Sequence, residues 1–274
     1  AQKEGIPLSK FTQRYEKAFF EDLDALRIKR ASVYPRATEH INEMLEIISV
    51  LLKKKIAYVS EDGSIYYNIS KFKNYGKLSK LEIKDLKAGA RVSQDNYTKD
   101  EAQDFALWKA WTPEDGDVAW HAVLDGKTVK GRPGWHIECS AMSGKHLGKS
   151  FDIHGGGIDL MFPHHENEIA QSVGAGHRFA KHWLHCEHLL VDGKKMSKSL
   201  GNFYTLRDVL NKGHSALAVR YLLMSAHYRS QLNFTFKELD SAGKTVDNIN
   251  DFIRRCIYSK GNESRNITVL LKKT

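Results

Sequence analysis

The run from Ser150 to Lys195, "SFDIHGGGIDLMFPHHENEIAQSVGAGHRFAKHWLHCEHLLVDGKK", constrains the fold more than any other part of the chain. A buried-strand pattern ends in Gly155-Gly156-Gly157, a helix pattern follows with Pro163 near its first turn, and "HWLHCEHLLVDGKK" is strand-like again. Strand, glycine turn, helix and strand in that order predict a parallel α/β sheet with its ligands at the carboxyl ends of the strands.

The preceding half is of a different kind. Phe11, Tyr15, Phe19, Leu23 and Leu26 recur every three or four residues between Ser9 and Ile28, which predicts a helix capped by serine and packed on a core. "YPRATEHINEMLEIISVLLKKK" predicts a second helix, with Thr38 as its cap, an apolar stripe at Ile41, Leu45, Ile48 and Leu52, and C-terminal lysines that suit the helix dipole. "IAYVSEDGSIYYNIS" sets two strand-forming runs around Asp62-Gly63, a hairpin signature. Short strands and polar loops, "SQDNYTKDEAQD" among them, continue to about Thr128 and predict a small α+β insertion with Trp108, Trp111 and Trp120 as packing residues. "GRPGWHIECSAM" opens a helix at Trp135, and helices are expected beyond Lys198 at "TLRDVLN", "ALAVRYLLMSAHY" and "FTFKELDSAGKTVDNINDFIRRCI".

Composition narrows the setting. A net charge of +9, from 42 Lys and Arg against 33 Asp and Glu, favours an anionic partner such as nucleic acid. Cys139, Cys186 and Cys256 are too few and too scattered for a disulfide framework, so a reducing cytoplasm is expected. The longest aliphatic run, Ile47 to Leu52, is interrupted by Ser49 and falls far short of the roughly 20 residues of a membrane span. "AQKEGIPLSK" resembles neither a signal peptide nor a transit peptide, and the absence of Met at position 1 points to a piece of a longer chain.

Two stretches carry candidate chemistry. In "FPHHENE", His164 and Glu168 stand one helical turn apart, a spacing that suits a divalent metal, and Cys139 in "WHIEC" can add a thiolate. On spacing alone, a solvated His and Glu on a surface helix is the commoner arrangement. A zinc-protease motif is excluded, because Ile169 stands where H-E-x-x-H needs its second histidine. A nicotinamide-binding fingerprint fits poorly, with Leu160 at the third glycine of G-x-G-x-x-G. Gly155 to Gly157 can still bring backbone close to a flat ring, and Asp159 can accept from ribose hydroxyls, although such a run is more often only a turn. In "VDGKKMSKSLGN", Lys195 and Lys198 can set two charges on a triphosphate, Ser197 and Ser199 can donate hydrogen bonds, and Gly193 and Gly201 let the loop move. Taken alone, this is also the composition of an exposed basic loop.

Lys195-Met196-Ser197-Lys198-Ser199 is identical to the KMSKS signature of class I aminoacyl-tRNA synthetases. With "GWHIECSAM", "FDIHGGGIDLMFPHHENEIAQS" and "PRATEHI", nearly the whole chain resembles the cysteinyl-tRNA synthetase family. The resemblance implies a Rossmann-type parallel sheet split by an α+β insertion, followed by a mostly helical stem-contact and bundle region. Residues 1–39 would end the first half of the nucleotide-binding fold, 40–128 form the insertion (the connective polypeptide) and 129–190 the second half. Residues 191–235 would carry the KMSKS loop and stem-contact region, and 236–274 the start of the helical bundle.

By the same resemblance Cys139, His164 and Glu168 hold one Zn2+, while Trp135 closes over bound L-cysteine and His136, His154 and His165 line the pocket. Gly155, Gly156, Gly157 and Asp159 would hold adenosine, and Lys195 and Lys198 the phosphates of ATP with its Mg2+, with tRNA(Cys) as the macromolecular partner. A thiolate on zinc would separate cysteine from serine, a task that size alone performs poorly. The family's His-Ile-Gly-His motif, first nucleotide-binding strand and fourth zinc ligand belong upstream of position 1, and its anticodon-binding domain beyond Thr274. The only local echo, His146-Leu147-Gly148-Lys149, lacks the second histidine. The chain as given is therefore expected to be inactive alone. A cysteine ligase acting on an amino sugar and a non-catalytic zinc-stabilised RNA-binding module are the alternative readings.

Overall fold

Leu8–Ala25 forms the first helix, α1, but none of its residues is buried, and Tyr15 and Phe19 are exposed. The expected packing through one face is not found, and Ser9 lies inside the helix instead of capping it. A spacing of four along Phe11, Tyr15, Phe19 and Leu23 drifts by roughly 40° per step, so these side chains wind round the helix instead of forming one stripe. The second helix, α2 (Ile41–Lys53), follows a short turn at Ala37–Glu39 and is preceded by His40 at the cap position, not Thr38. Its buried face is Ile41, Met44, Ile47, Ile48 and Leu51, with Leu45 and Leu52 only partly covered, so the inward stripe is rotated from the expected one.

The computed structural model describes residues 1–80, 91–92, 103–124 and 126–258. The chain divides into two units, residues 1–13 with 30–188, and residues 14–29 with 189 onward. In the first, β1 (Ala57–Val59) and β2 (Ile65–Tyr67) make the expected antiparallel hairpin, with Val59 opposite Ile65. They join β4 (Asp104–Ala110), β5 (Trp120–Leu124) and β6 (Lys127–Pro133) in the order β1-β2-β4-β6-β5, with the two-residue β3 (Arg91–Val92) parallel to β4. Most of the loop "SQDNYTKDEAQD", residues 93–102, lies outside the described residues.

This antiparallel sheet packs on α2. Trp108, Phe105, Leu107, Ile65 and Tyr67 are buried with Ile48 and Leu51 in one core, and Trp120 is partly covered against it. Trp111 is more open, under the Lys130 ammonium 3.7 Å from its ring centre. Ile48 is completely buried here. Ile48→Ala is expected to cost about 3 kcal/mol of stability, through lost transfer energy and the cavity left behind. Urea unfolding measures this, and a loss below about 1 kcal/mol would mean that the core collapses into the space.

The helix α3 (Trp135–Leu147), the strand β7 (Ser150–Gly157), the helix α4 (Glu166–Ala175) and the strand β8 (Phe179–Cys186) complete this unit. The strands pair in parallel from Ser150 opposite Phe179 to Gly157 opposite Cys186, as the strand, turn, helix, strand order requires. Strand β7 was expected to be buried, yet only Phe151 is, and Ile153 is 60% exposed; β7 and β8 pair only with each other among the described residues. The chain kinks at Phe162, which has extended dihedrals, and Pro163 opens the helical turn that runs on into α4, its carbonyl accepting the Glu166 N–H, as the sequence predicts.

In the second unit, β9 (Leu189–Val191) and β10 (Lys194–Lys195) form a hairpin across Asp192-Gly193. A strand that the sequence pattern did not reveal, β11 (Leu232–Phe234), runs parallel to β9. Helices α5 (Leu206–Asn211), α6 (Ala216–Met224) and α7 (Phe236–Tyr258) follow the expected segments, α5 and α6 being capped by the side chains of Thr205 and Ser215. Val191, Val209, Ala218, Leu222, Phe234 and Leu239 form their core. Arg207 ties α5 to Glu21 and Asp22, and Arg220 donates to the carbonyls of Leu26 and Arg27. No helix of the described residues is long and apolar enough to cross a membrane.

Candidate functional site

His164 and Glu168 keep their i,i+4 relation, both lying after the kink at Phe162. His164 Nε2 lies 3.0 Å from Glu168 Oε1, and both side chains are buried. Helix α3 supplies the third partner. Sγ of half-buried Cys139 comes within 4.8 Å of ligand atoms of both His164 and Glu168. The solvated-surface alternative for His164 and Glu168 is thus excluded by their burial.

Glu168 is the hub of a second group as well. Its carboxylate and the rings of His154, at the end of β7, and His165 also offer ligand atoms within 4.8 Å of one another. Oε1 is 3.3 Å from His154 Nε2, while Oε2 is 3.0 Å from the same nitrogen but too poorly aligned to receive a hydrogen bond. A buried carboxylate oxygen without an aligned donor is costly unless a cation meets it. Burial pushes the Glu168 carboxyl up, and hydrogen bonds and charge from His154 and His164 outweigh it, so that it sits below the ordinary carboxylate value.

The remaining rings hold these in place. His136, only 1% exposed, places its Nδ1 2.9 Å from His164 Nδ1. If His164 donates there, its Nε2 lone pair is left on the Glu168 side, as a ligating imidazole needs. Burial, reinforced by His164, brings His136 down to about 3 and keeps it neutral. The Trp135 ring is 4.2 Å from the His164 ring and 38% exposed. His165, brought down to about 4 mainly by burial, has its Nδ1 2.8 Å from His185 Nε2.

His185 and Trp183 were not singled out in the sequence. They alternate along β8, opposite Gly156 and His154 on β7, and Trp183 meets His154 edge-on at 5.0 Å. The period of two in "HWLHC" was the signal that could have found them.

The donor set fits zinc. Thiolate, imidazole and carboxylate are its usual ligands, and tetrahedral bonds of ordinary length put ligand atoms about 3.5 Å apart. Burial, with the carboxylates of Glu168 and Glu138, pushes the Cys139 thiol up to about 12, and a bound divalent cation reverses that preference.

Gly155 to Gly157 end β7 at its carboxyl edge, and Asp159 follows in the turn Ile158–Leu160. A Cβ on Gly156 would stand 2.9 Å from Leu160 Cδ1 and 3.0 Å from the His165 ring, and one on Gly157 would strike the Asp159 carboxylate. These glycines let the turn fold against its own side chains.

In the second unit, Lys195 ends β10 and Lys198 opens the turn Lys198–Leu200, both exposed. Asn202 holds the loop, accepting from the Ser197 N–H at 2.9 Å and donating to the Lys195 carbonyl at 3.1 Å. Ser197 and Ser199 hydroxyls bond one another at 2.7 Å, and Met196 packs on the core of this unit.

Comparison with known proteins adds three findings. The family profile described as "tRNA synthetases class I (C) catalytic domain" matches residues 1–244. A cysteine–tRNA ligase of Brachyspira hyodysenteriae is 54% identical over 271 residues, covering 98% of this chain and 56% of that protein. One of Protochlamydia amoebophila is 55% identical over 259 residues, covering 93% and 53%. The chain thus spans about half the length of the curated relatives it matches. Among solved structures, Mycobacterium tuberculosis methionyl-tRNA synthetase in complex with methionyl-adenylate aligns with a TM-score of 0.65 at 14% identity, over 99% of this chain and 65% of that one. That likeness concerns the fold, which is mixed α/β of the Rossmann type, with β7 and β8 as parallel strands and a largely antiparallel sheet before them.

Proposed function

The chain belongs to the class I aminoacyl-tRNA synthetases, and from that premise we propose that its parent protein joins L-cysteine to tRNA(Cys) through cysteinyl-adenylate, in the cytoplasm. The observation that carries this reading is the convergence of Cys139, His164 and Glu168, with the Trp135 ring against His164. These three side chains would hold the zinc. When bound, zinc supplies an open position that takes a thiolate and disfavours an alcohol, which is the discrimination against serine.

The other residues divide the remaining work. Trp135 covers the amino acid, with His136 fixing the His164 ring, while His154 and His165 line the side of the pocket nearest Glu168. Gly155 to Gly157 let the backbone approach the adenine ring, and Asp159 accepts from the ribose hydroxyls. The cysteine carboxylate displaces pyrophosphate at the α-phosphorus of ATP, and a hydroxyl of the tRNA terminus then displaces AMP. Lys195 and Lys198 would balance the charge that gathers on departing pyrophosphate, with Mg2+ on the phosphates. The naming of the relatives as cysteine–tRNA ligases supports tRNA, and not an amino sugar, as the acceptor.

Cysteine-dependent exchange of pyrophosphate into ATP by the full-length parent tests the reading, followed by charging of tRNA against an amino sugar. Exchange is expected with cysteine and at most weakly with serine. No exchange with cysteine would sink the proposal.

A further inference from the structure

Between the two α4-side ligands stand Glu166 and Asn167, both completely buried. Neither belongs to the donor groups around the candidate metal. They reach instead to the turn Tyr75–Ser79. Glu166 Oε2 accepts the Gly76 N–H at 3.0 Å, Oε1 accepts the Ser79 N–H at 2.6 Å, and Asn167 Oδ1 accepts the Tyr75 hydroxyl at 2.6 Å. Charge-assisted bonds to a buried carboxylate are the strong kind, and this one uses both oxygens on the backbone of one turn.

We propose that Glu166 and Asn167 are positioning residues that fix His164 and Glu168 for metal and thiol binding by locking the start of α4 to the turn Tyr75–Ser79. The proposal rests on the reading of Cys139, His164 and Glu168 as the zinc and cysteine site. An anchor is needed because the chain kinks at Phe162, two residues before His164, where the helix that continues as α4 has only begun. His164 thus stands in the first helical turn after the kink, where intrahelical hydrogen bonds hold the backbone least. The same turn also reaches His164 from the other side. The Tyr75 ring stacks at 6.5 Å on Phe105, Phe105 meets His136 edge-on at 5.9 Å, and His136 Nδ1 is 2.9 Å from His164 Nδ1. The turn thus holds the ligand pair through helix α4 and through the imidazole behind His164. Partners that orient metal ligands without touching the metal commonly change its affinity by one to two orders of magnitude.

The test uses the full-length parent protein and two variants. E166Q keeps the shape of the side chain and one acceptor oxygen; Y75F removes a single hydroxyl and is the milder change, expected to fold. Zinc affinity is measured by competition with a chelating dye, alongside the KM for cysteine and for ATP in pyrophosphate exchange and the melting temperature. E166Q is expected to bind zinc about tenfold more weakly, with Y75F between it and wild type. The KM for cysteine should rise more than the KM for ATP in both. Wild-type zinc affinity and cysteine KM in Y75F and in folded E166Q, with only the melting temperature lowered, would overturn the positioning role and leave the zinc reading intact. If E166Q does not fold, Y75F decides alone. A wild-type protein that takes up no zinc overturns the reading on which the proposal rests, and the proposal with it.

Discussion

Cys139→Ala in the full-length parent is expected to weaken zinc binding and raise the KM for cysteine, both at least about 100-fold, while the KM for ATP changes little. Loss of a partner outside the ligand set already costs 10- to 100-fold in metal affinity, and a thiolate is a stronger determinant than any such partner. The selectivity of the effect follows from position. Cys139 lies on α3 against His164 and Glu168, whereas the glycine turn and Asp159 that would meet adenosine lie at the end of β7. Burial and two neighbouring carboxylates push the metal-free thiol up to about 12, so zinc must displace its proton at neutral pH. Each unit of rising pH should therefore strengthen zinc binding about tenfold through this group, and that dependence should vanish in Cys139→Ala. Metal analysis and chelator competition across pH check both points. Unchanged zinc content in the variant would contradict the assignment, and a pH slope that survives the substitution would place the displaced proton elsewhere.

The sequence foretold elements better than burial. The strand, glycine turn, helix and strand between Ser150 and Cys186 were legible because glycine and proline punctuate changes in hydrophobic period, and the parallel β7–β8 pair follows from that order. The hairpin at Asp62-Gly63 was legible for the same reason. Periodicity did not reveal which faces would be covered. Phe11, Tyr15 and Phe19 promised a packed helix, yet no residue of α1 is fully buried, because side chains four apart wind round the helix instead of lining one face. Strand β11 left no pattern, since three residues are too few to show alternation.

In the site, one-turn spacing gave His164 and Glu168, but their burial and the approach of Cys139 are tertiary facts that no local pattern contains. His185 came to the site through strand pairing with Gly156. Glu166 resembled an ordinary charged residue in the first turn of a helix. Its partners, Gly76 and Ser79, are 90 and 87 residues away in sequence, so its buried role could not be read from its neighbours.

Lys195→Ala and Lys198→Ala are each expected to lower the kcat of pyrophosphate exchange by about 100- to 1000-fold, the usual cost of removing one donor aimed at developing charge. Zinc content and the KM for cysteine should stay near wild type, because neither lysine belongs to a donor group around Glu168. The loop is built to present these ammonium groups: Met196 packs inward on its own core, Asn202 clamps the backbone on both sides, and the two lysines stay exposed. Neither has an ion-pair partner among the described residues, so their charge is available to a phosphate. Asn202→Ala separates presentation from charge. It keeps both lysines but frees the backbone that carries them, and it should fall between wild type and the lysine variants. Arg at position 198 should restore part of the rate if charge alone matters, and little if the compact ammonium must reach a single oxygen. Steady-state and single-turnover exchange measure all four variants. A kcat that survives both alanine substitutions would show that pyrophosphate departs without help from this loop, and the role assigned to "KMSKS" would then fall, whatever the zinc site does.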